Sequence, residues 1–163
     1  MKLKDALQIA ERVKAELAPH CFRIEIAGSI RRKKPEVKDI EIVIRPKPYE
    51  HRGMFADGIA PIVNQWQKVK GELPCKYTQR ILPEGIKLDL FFASEENWGL
   101  IYAIRTGSAD YSHRVLASTW VAKGFHSVDG MLMRGMHKYP IYEEADLFKL
   151  LEIPYCEPEL RNI

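Results

Sequence analysis

Three carboxylates in two strand-like segments carry the chemistry that this sequence suggests. Asp39 and Glu41 stand two residues apart in DIEIVI, residues 39 to 44, and Asp89 stands mid-way through KLDLFF, residues 87 to 92. Side chains alternate between the faces of a strand, so Asp39 and Glu41 share one face while Ile40, Ile42 and Ile44 share the other. In the second segment Ile86, Leu88, Leu90 and Phe92 take one face, and Lys87, Asp89 and Phe91 take the other. Acids held close together repel one another and lose hydration, which favours a cation between or beside them. Mg²⁺ prefers hard oxygen ligands and keeps part of its water shell, so two or three carboxylates plus substrate oxygens complete its coordination. Two such ions about 3.5–4 Å apart stabilise both the attacking and the leaving oxygen of an in-line phosphoryl displacement. The three acids meet if the strand of Asp89 lies beside that of Asp39 and Glu41, a pairing the sequence permits without showing. Taken singly, the first two also fit a solvated strand face, and Asp89 an ion pair with Lys87 or a nearby arginine.

The elements around these acids follow from pattern. Leu3, Ala6, Leu7, Ala10, Val13 and Leu17 recur at helical spacing and predict an amphipathic helix ending near Pro19. Phe22, Ile24 and Ile26 alternate with charged residues and predict a strand that ends at Gly28. Gly28-Ser29 then opens a basic run, Arg31-Arg32-Lys33-Lys34, and residues 30 to 38 read as irregular. At such a turn the backbone N–H groups and the Ser29 hydroxyl can face phosphate oxygens, with Arg31 or Arg32 adding charge. The same run also fits a solvated face or a general polyanion patch.

Arg45 to Gly58 carries Pro46, Pro48, Gly53 and Gly58 and reads as a loop. Ile59, Ile62, Val63, Trp66 and Val69 predict a helix ending before Gly71, residues 76 to 81 a strand, and Pro83-Glu84-Gly85 a turn. From Ser94 the texture turns helical. One helix is expected from Asn97 to about Arg105, broken by Thr106-Gly107-Ser108, and another over roughly 109 to 123, stopped at Gly124. A hairpin at Asp129-Gly130 and a helix over 144 to 151 complete the pattern. Trp66, Trp98 and Trp120 fall at helical core spacing, while His51, His113, His126 and His137 show no metal-ligand spacing. The expected fold class is α+β: a mixed β-sheet with flanking helices over residues 1–93, then a small helical lobe with a β-hairpin over residues 94–163.

Composition bounds the function classes. The chain has 163 residues and a formal net charge of +3, a mild basic excess that permits a polyanionic partner without demanding one. Cys21, Cys75 and Cys156 are odd in number and widely spaced, which argues against a disulfide framework and a structural zinc site. An intracellular, cytoplasmic setting follows as the expectation, in a cell or for a virus acting in a host cell. The first residues mix charge throughout and no run approaches membrane-spanning length, so neither a signal peptide nor a membrane anchor is expected.

In combination these residues resemble the X-family DNA polymerases, the polymerase-beta type. Gly28-Ser29-x-Arg31-Arg32 followed by Asp39-x-Glu41 resembles their nucleotidyltransferase signature. The likeness continues through Lys87-Leu88-Asp89, Trp98-Gly99, Thr106-Gly107-Ser108 and Lys123-Gly124-Phe125 to the tail from Glu143 to Arg161, and so covers nearly the whole chain. It implies a nucleotidyltransferase palm over residues 1–93 and, over 94–163, a C-terminal nucleotide-selection lobe that closes over the nascent base pair. The implied activity is metal-dependent nucleotidyl transfer from a (d)NTP to the 3′-hydroxyl of a DNA primer, as short-gap or repair-type synthesis on primer-template or gapped DNA. It implies a monomer using two Mg²⁺ ions, with Mn²⁺ as a substitute. By position, Asp39 and Glu41 would hold both metals, and Asp89 would hold the catalytic one and accept or relay the proton of the primer hydroxyl. Gly28, Ser29, Arg32 and the Lys38 backbone would meet the triphosphate, joined by Arg105, Thr106 and Gly107. Lys87 stands where the family usually has an arginine and would support Asp89, while Ser112, His113 and Arg114 would contact DNA.

The departures from the family are specific. Glu41 stands where an aspartate is usual, one methylene longer. Ile104-Arg105 replaces the aromatic pair that polices the sugar, which opens the choice between deoxy- and ribonucleotides. Ser112 and Leu116 replace the asparagine and arginine that touch the base and the template minor groove. The sequence begins at the palm, so grip on DNA is expected from the two lobes or from a partner. Two rivals follow. A terminal, small-molecule or protein nucleotidyltransferase is opposed by the Thr-Gly-Ser lobe, and a non-catalytic nucleotide- or DNA-binding module is opposed by the acid at all three positions.

Overall fold

Apolar residues at three- and four-residue steps form the first helix, α1 (Leu3–Leu17), which buries Ala6, Ile9, Ala10, Val13 and Leu17 along one stripe. The computed structural model describes residues 1–48 and 58–163, and the described chain divides into two units, Met1–Ala93 and Ser94–Ile163. Most of the loop expected from Arg45 to Gly58, with His51, lies outside the described residues. The fold class is α+β, with a mixed five-stranded sheet in the first unit and helices with a three-stranded sheet in the second.

The first unit is built on β1 (Cys21–Ile26), β2 (Asp39–Pro46), β3 (Gln67–Lys70), β4 (Tyr77–Ile81) and β5 (Lys87–Phe92), in the spatial order β1-β2-β5-β4-β3. Strands β2 and β5 run parallel, and the other pairs are antiparallel. Ile24, Ile40, Ile42, Ile44, Leu88 and Leu90 join the buried stripe of α1 in one core. A one-residue slip of β2 would exchange its three buried isoleucines for Asp39, Glu41 and Val43. At roughly 1.5–3 kcal/mol per isoleucine, with the penalty of burying two acids added, that exchange loses an amount comparable to the whole stability of a typical domain. The apolar core therefore sets which face the acids take.

Two expectations change here. Residues 28 to 31 form one helical turn, α2 (Gly28–Arg31), where a turn at Gly28-Ser29 leading into an irregular run from residue 30 was expected, with the Arg32 amide donating to the Gly28 carbonyl at 3.1 Å. The helix expected from Ile59 to Val69 is confined to α3 (Ala60–Val63) and gives way to the exposed edge strand β3. Buried Arg80 on β4 accounts for that change. Its guanidinium donates to the Trp66 carbonyl at 3.3 Å, to the Gly71 carbonyl at 3.5 Å and to Thr78 Oγ1 at 3.0 Å, fastening both ends of β3 to β4. Backbone pairing along a sheet edge thus outweighs the helical spacing of five apolar side chains.

The second unit holds α4 (Trp98–Thr106), α5 (Ala109–Tyr111), a π-helical stretch Ser112–Ala117 and α6 (Ser118–Ala122), then α7 (Glu144–Leu151) after the small sheet. The expected hairpin, β6 (His126–Val128) and β7 (Met131–Arg134), gains a third strand, β8 (His137–Tyr139). Trp98 and Trp120 are buried, and Trp66 packs partly against the first core. A Cβ on Gly99 would lie 2.8 Å from the Glu143 Cα, so only glycine lets α4 approach the start of α7 this closely. Fully buried Arg161 pairs with Glu144 and donates Nε to the Cys156 carbonyl at 2.8 Å, while its own carbonyl accepts from the Ser108 amide at 2.9 Å. The last residues of the chain thereby hold the Thr106-Gly107-Ser108 turn.

Candidate active site

Parallel pairing of β2 with β5 sets Glu41 opposite Asp89 and Asp39 opposite Lys87. Directly opposed residues of neighbouring strands project to the same face, so all three acids lie on the face turned away from the isoleucine core. The strand adjacency on which a shared site depends is therefore present. Burial raises the Asp39 carboxyl above the usual aspartate range, and the negative charge of Asp89 adds to that shift. Lys87 and Lys38 oppose it.

Each acid has its own setting. Asp89 is only 5% exposed, and its Oδ1 accepts the Tyr77 hydroxyl at 2.6 Å and the Gln79 Nε2 at 2.7 Å. Glu41 is half-buried and packs on Gly28. That glycine has φ +61, and a Cβ there would lie 2.7 Å from Glu41 Cδ and overlap Oε2. The Ala27 amide donates to the Glu41 carbonyl at 2.8 Å, which holds the two backbones together at this point. Burial lowers the pKa of the Arg32 guanidinium, and the charge of Glu41 partly restores it. The Glu41 carboxylate thus lies on the side of Gly28 and Arg32, the place where the sequence suggested a phosphate cradle.

Lys87 is exposed and stands in register with Asp39, the acid on which its charge acts. The hydrogen-bonded support of Asp89 comes instead from Tyr77 and Gln79, which no motif in the sequence singles out. Alternation along residues 77 to 81 does put both on one face, but only the pairing of Gln79 with Asp89 reveals that it is the acid face. Among the described residues no three acids, histidines or cysteines are gathered as ligands of one ion. The donor set itself, carboxylates on adjacent strands, is of the hard-oxygen kind that suits Mg²⁺ or Mn²⁺.

The remaining expected residues belong to the second unit. Arg105 is exposed near the end of α4, Thr106 is buried, and Gly107 packs so closely that a Cβ would lie 3.1 Å from Ser112 Oγ. Ser112 is itself buried and donates its hydroxyl to the Ile104 carbonyl at 2.7 Å, so it braces the turn. His113 and Arg114 are exposed and line a surface depression of about 320 Å³ with Ala117, Ser118 and Val121. They sit in the π-helical stretch, a local widening that often marks a functional segment.

Compared with the models of known protein families and with curated proteins, the chain matches none. No described helix is long and apolar enough to cross a membrane.

Proposed function

We propose that residues 1–93 form a nucleotidyltransferase palm of the X-family DNA polymerase type, and that the protein transfers nucleotides from (d)NTPs to DNA primer ends in short-gap or repair-type synthesis. The observation that supports this reading is the register of Glu41 with Asp89, with Asp39 on the same face. A single acid on a strand face is common, whereas three on one face of paired strands beside a glycine-serine-arginine turn have no role in the core.

In this mechanism Gly28, Ser29 and Arg32, with the Lys38 backbone, bind the triphosphate. An incoming phosphate competes with the charge of Glu41 for Arg32, while the Glu41 backbone stands opposite Asp89. Asp39, Glu41 and Asp89 would hold two Mg²⁺ ions, which supply charge neutralisation at the attacking and leaving oxygens. Asp89 accepts or relays the proton of the 3′-hydroxyl as that oxygen attacks the α-phosphorus and pyrophosphate leaves. Catalysis is then mostly positioning and electrostatics. In the second unit exposed His113 and Arg114 contact DNA, while Ser112 braces the turn.

One observation favours a second reading. Glu41 packs on Gly28 and its charge acts on Arg32, as a non-catalytic nucleotide- or DNA-binding module would allow. Labelled primer, with and without template and a one-nucleotide gap, incubated with Mg²⁺ or Mn²⁺ and each nucleotide, separates the two. Extension that disappears in Asp89→Ala supports the polymerase. Binding of nucleotide or DNA that ignores metal, with no extension on any substrate, supports the module, and untemplated addition indicates a terminal transferase.

A further inference from the structure

Asp89 is held by a pair of neutral donors, and that arrangement assigns a role to residues outside the acid triad. Gln79 is its direct cross-strand partner and Tyr77 stands one diagonal position away, opposite Phe91. Both donate to the same oxygen, Oδ1, at 2.6 and 2.7 Å. The tyrosine bond has the short length of a hydroxyl donating to an ionised carboxylate. Two bonds to one oxygen fix the plane of the carboxylate and leave Oδ2 as the oxygen for a metal or a proton.

The donors are themselves held. The Tyr77 ring stacks on Phe91 with centroids 4.9 Å apart and an interplanar angle of 18°, and the Lys70 Nζ lies 5.6 Å over its centroid. The phenol therefore cannot follow Asp89 if the carboxylate turns. Burial adds a reason for such support: at 5% exposure Asp89 has little water to replace a lost donor.

We propose that Tyr77 and Gln79 are positioning residues that lock the Asp89 carboxylate in the orientation in which it receives a divalent metal ion. This rests on the reading of Asp89 as a metal ligand. Groups that orient a ligating carboxylate typically account for about 10–100-fold in metal affinity or activity.

The test uses the whole chain, with Mn²⁺ as the probe, and reads Mn²⁺ affinity by electron paramagnetic resonance without nucleotide, beside kcat and nucleotide KM in primer extension. Tyr77→Phe removes the hydroxyl and keeps the ring stack. It is expected to weaken Mn²⁺ about tenfold and lower kcat with KM within about twofold, and adding Gln79→Ala deepens both losses. In an Asp89→Asn background Tyr77→Phe should change Mn²⁺ affinity no further, an outcome that a general loss of folding would not give. Unchanged Mn²⁺ affinity and kcat in the double variant overturn the proposal, as does an equal loss in the Asp89→Asn background. If the wild type binds Mn²⁺ through Asp89, Tyr77→Phe weakens it, and no nucleotide is transferred, the positioning role stands and the polymerase reading falls.

Discussion

Gly28→Ala probes the contact that joins the proposed phosphate cradle to the acid face. Two separate penalties follow from the structure. At φ +61 the backbone is left-handed, which costs a non-glycine residue about 1–2 kcal/mol. The new Cβ would also sit 2.7 Å from Glu41 Cδ and overlap its terminal oxygen. Forcing that side chain away adds a strain of about 1–3 kcal/mol, typical of overpacking at a closed contact. The single substitution is therefore expected to destabilise the first unit by about 2–5 kcal/mol. Equilibrium urea denaturation measures the loss, and amide exchange on β2 assigns it to that unit. In a Glu41→Ala background the Cδ and oxygens are gone, although a tight 3.0 Å approach to the Glu41 Cβ persists. There Gly28→Ala should cost only about 1–2 kcal/mol, a coupling of about 1–3 kcal/mol between the two sites. Additive losses would refute the packing of Glu41 on Gly28, and with it the account of why this turn carries a glycine.

Asp39→Asn should raise stability at neutral pH while removing a proposed metal ligand. Because burial lifts the folded carboxyl above its unfolded value, the folded state holds the extra proton between the two, so stability falls as pH rises through that window. The gain on substitution, less than about 1 kcal/mol for a half-exposed group, is expected at pH 7 in urea titrations and should vanish below about pH 3. Arg161→Met leaves Glu144 buried without its counter-charge and should cost the second unit about 3–5 kcal/mol, with Arg161→Met plus Glu144→Leu recovering most of it. Amide exchange resolved by unit checks both the size and the confinement of that loss.

Much of the first unit was legible because the period of its strands is simple. Ile40, Ile42 and Ile44 had to face a core, which put Asp39 and Glu41 on the other side, and the structure has them there. The same logic placed Asp89 opposite Leu88 and Leu90 across β5. What periodicity does not encode is which strands become neighbours, so the pairing of Glu41 with Asp89 and of Gln79 with Asp89 came only from the fold. Lys87 illustrates the same gap: two residues from Asp89 in sequence, it acts on Asp39 across the parallel register. The misread stretch from Ile59 to Val69 failed for a different reason. Its apolar spacing was helical, but the tie from Arg80 to Trp66 and Gly71 is a long-range contact that no local pattern announces.

The central claim is that the acid face of β2 and β5 performs nucleotidyl transfer. The most direct measurement follows a label on the α-phosphate of each nucleotide, in Mg²⁺, from the nucleotide to a primer 3′-hydroxyl in a one-nucleotide gap, with wild type and Asp89→Ala side by side. The account predicts incorporation by the wild type with release of pyrophosphate, reduced at least about a hundredfold in Asp89→Ala. No incorporation by the wild type, or incorporation that Asp89→Ala leaves intact, would contradict it.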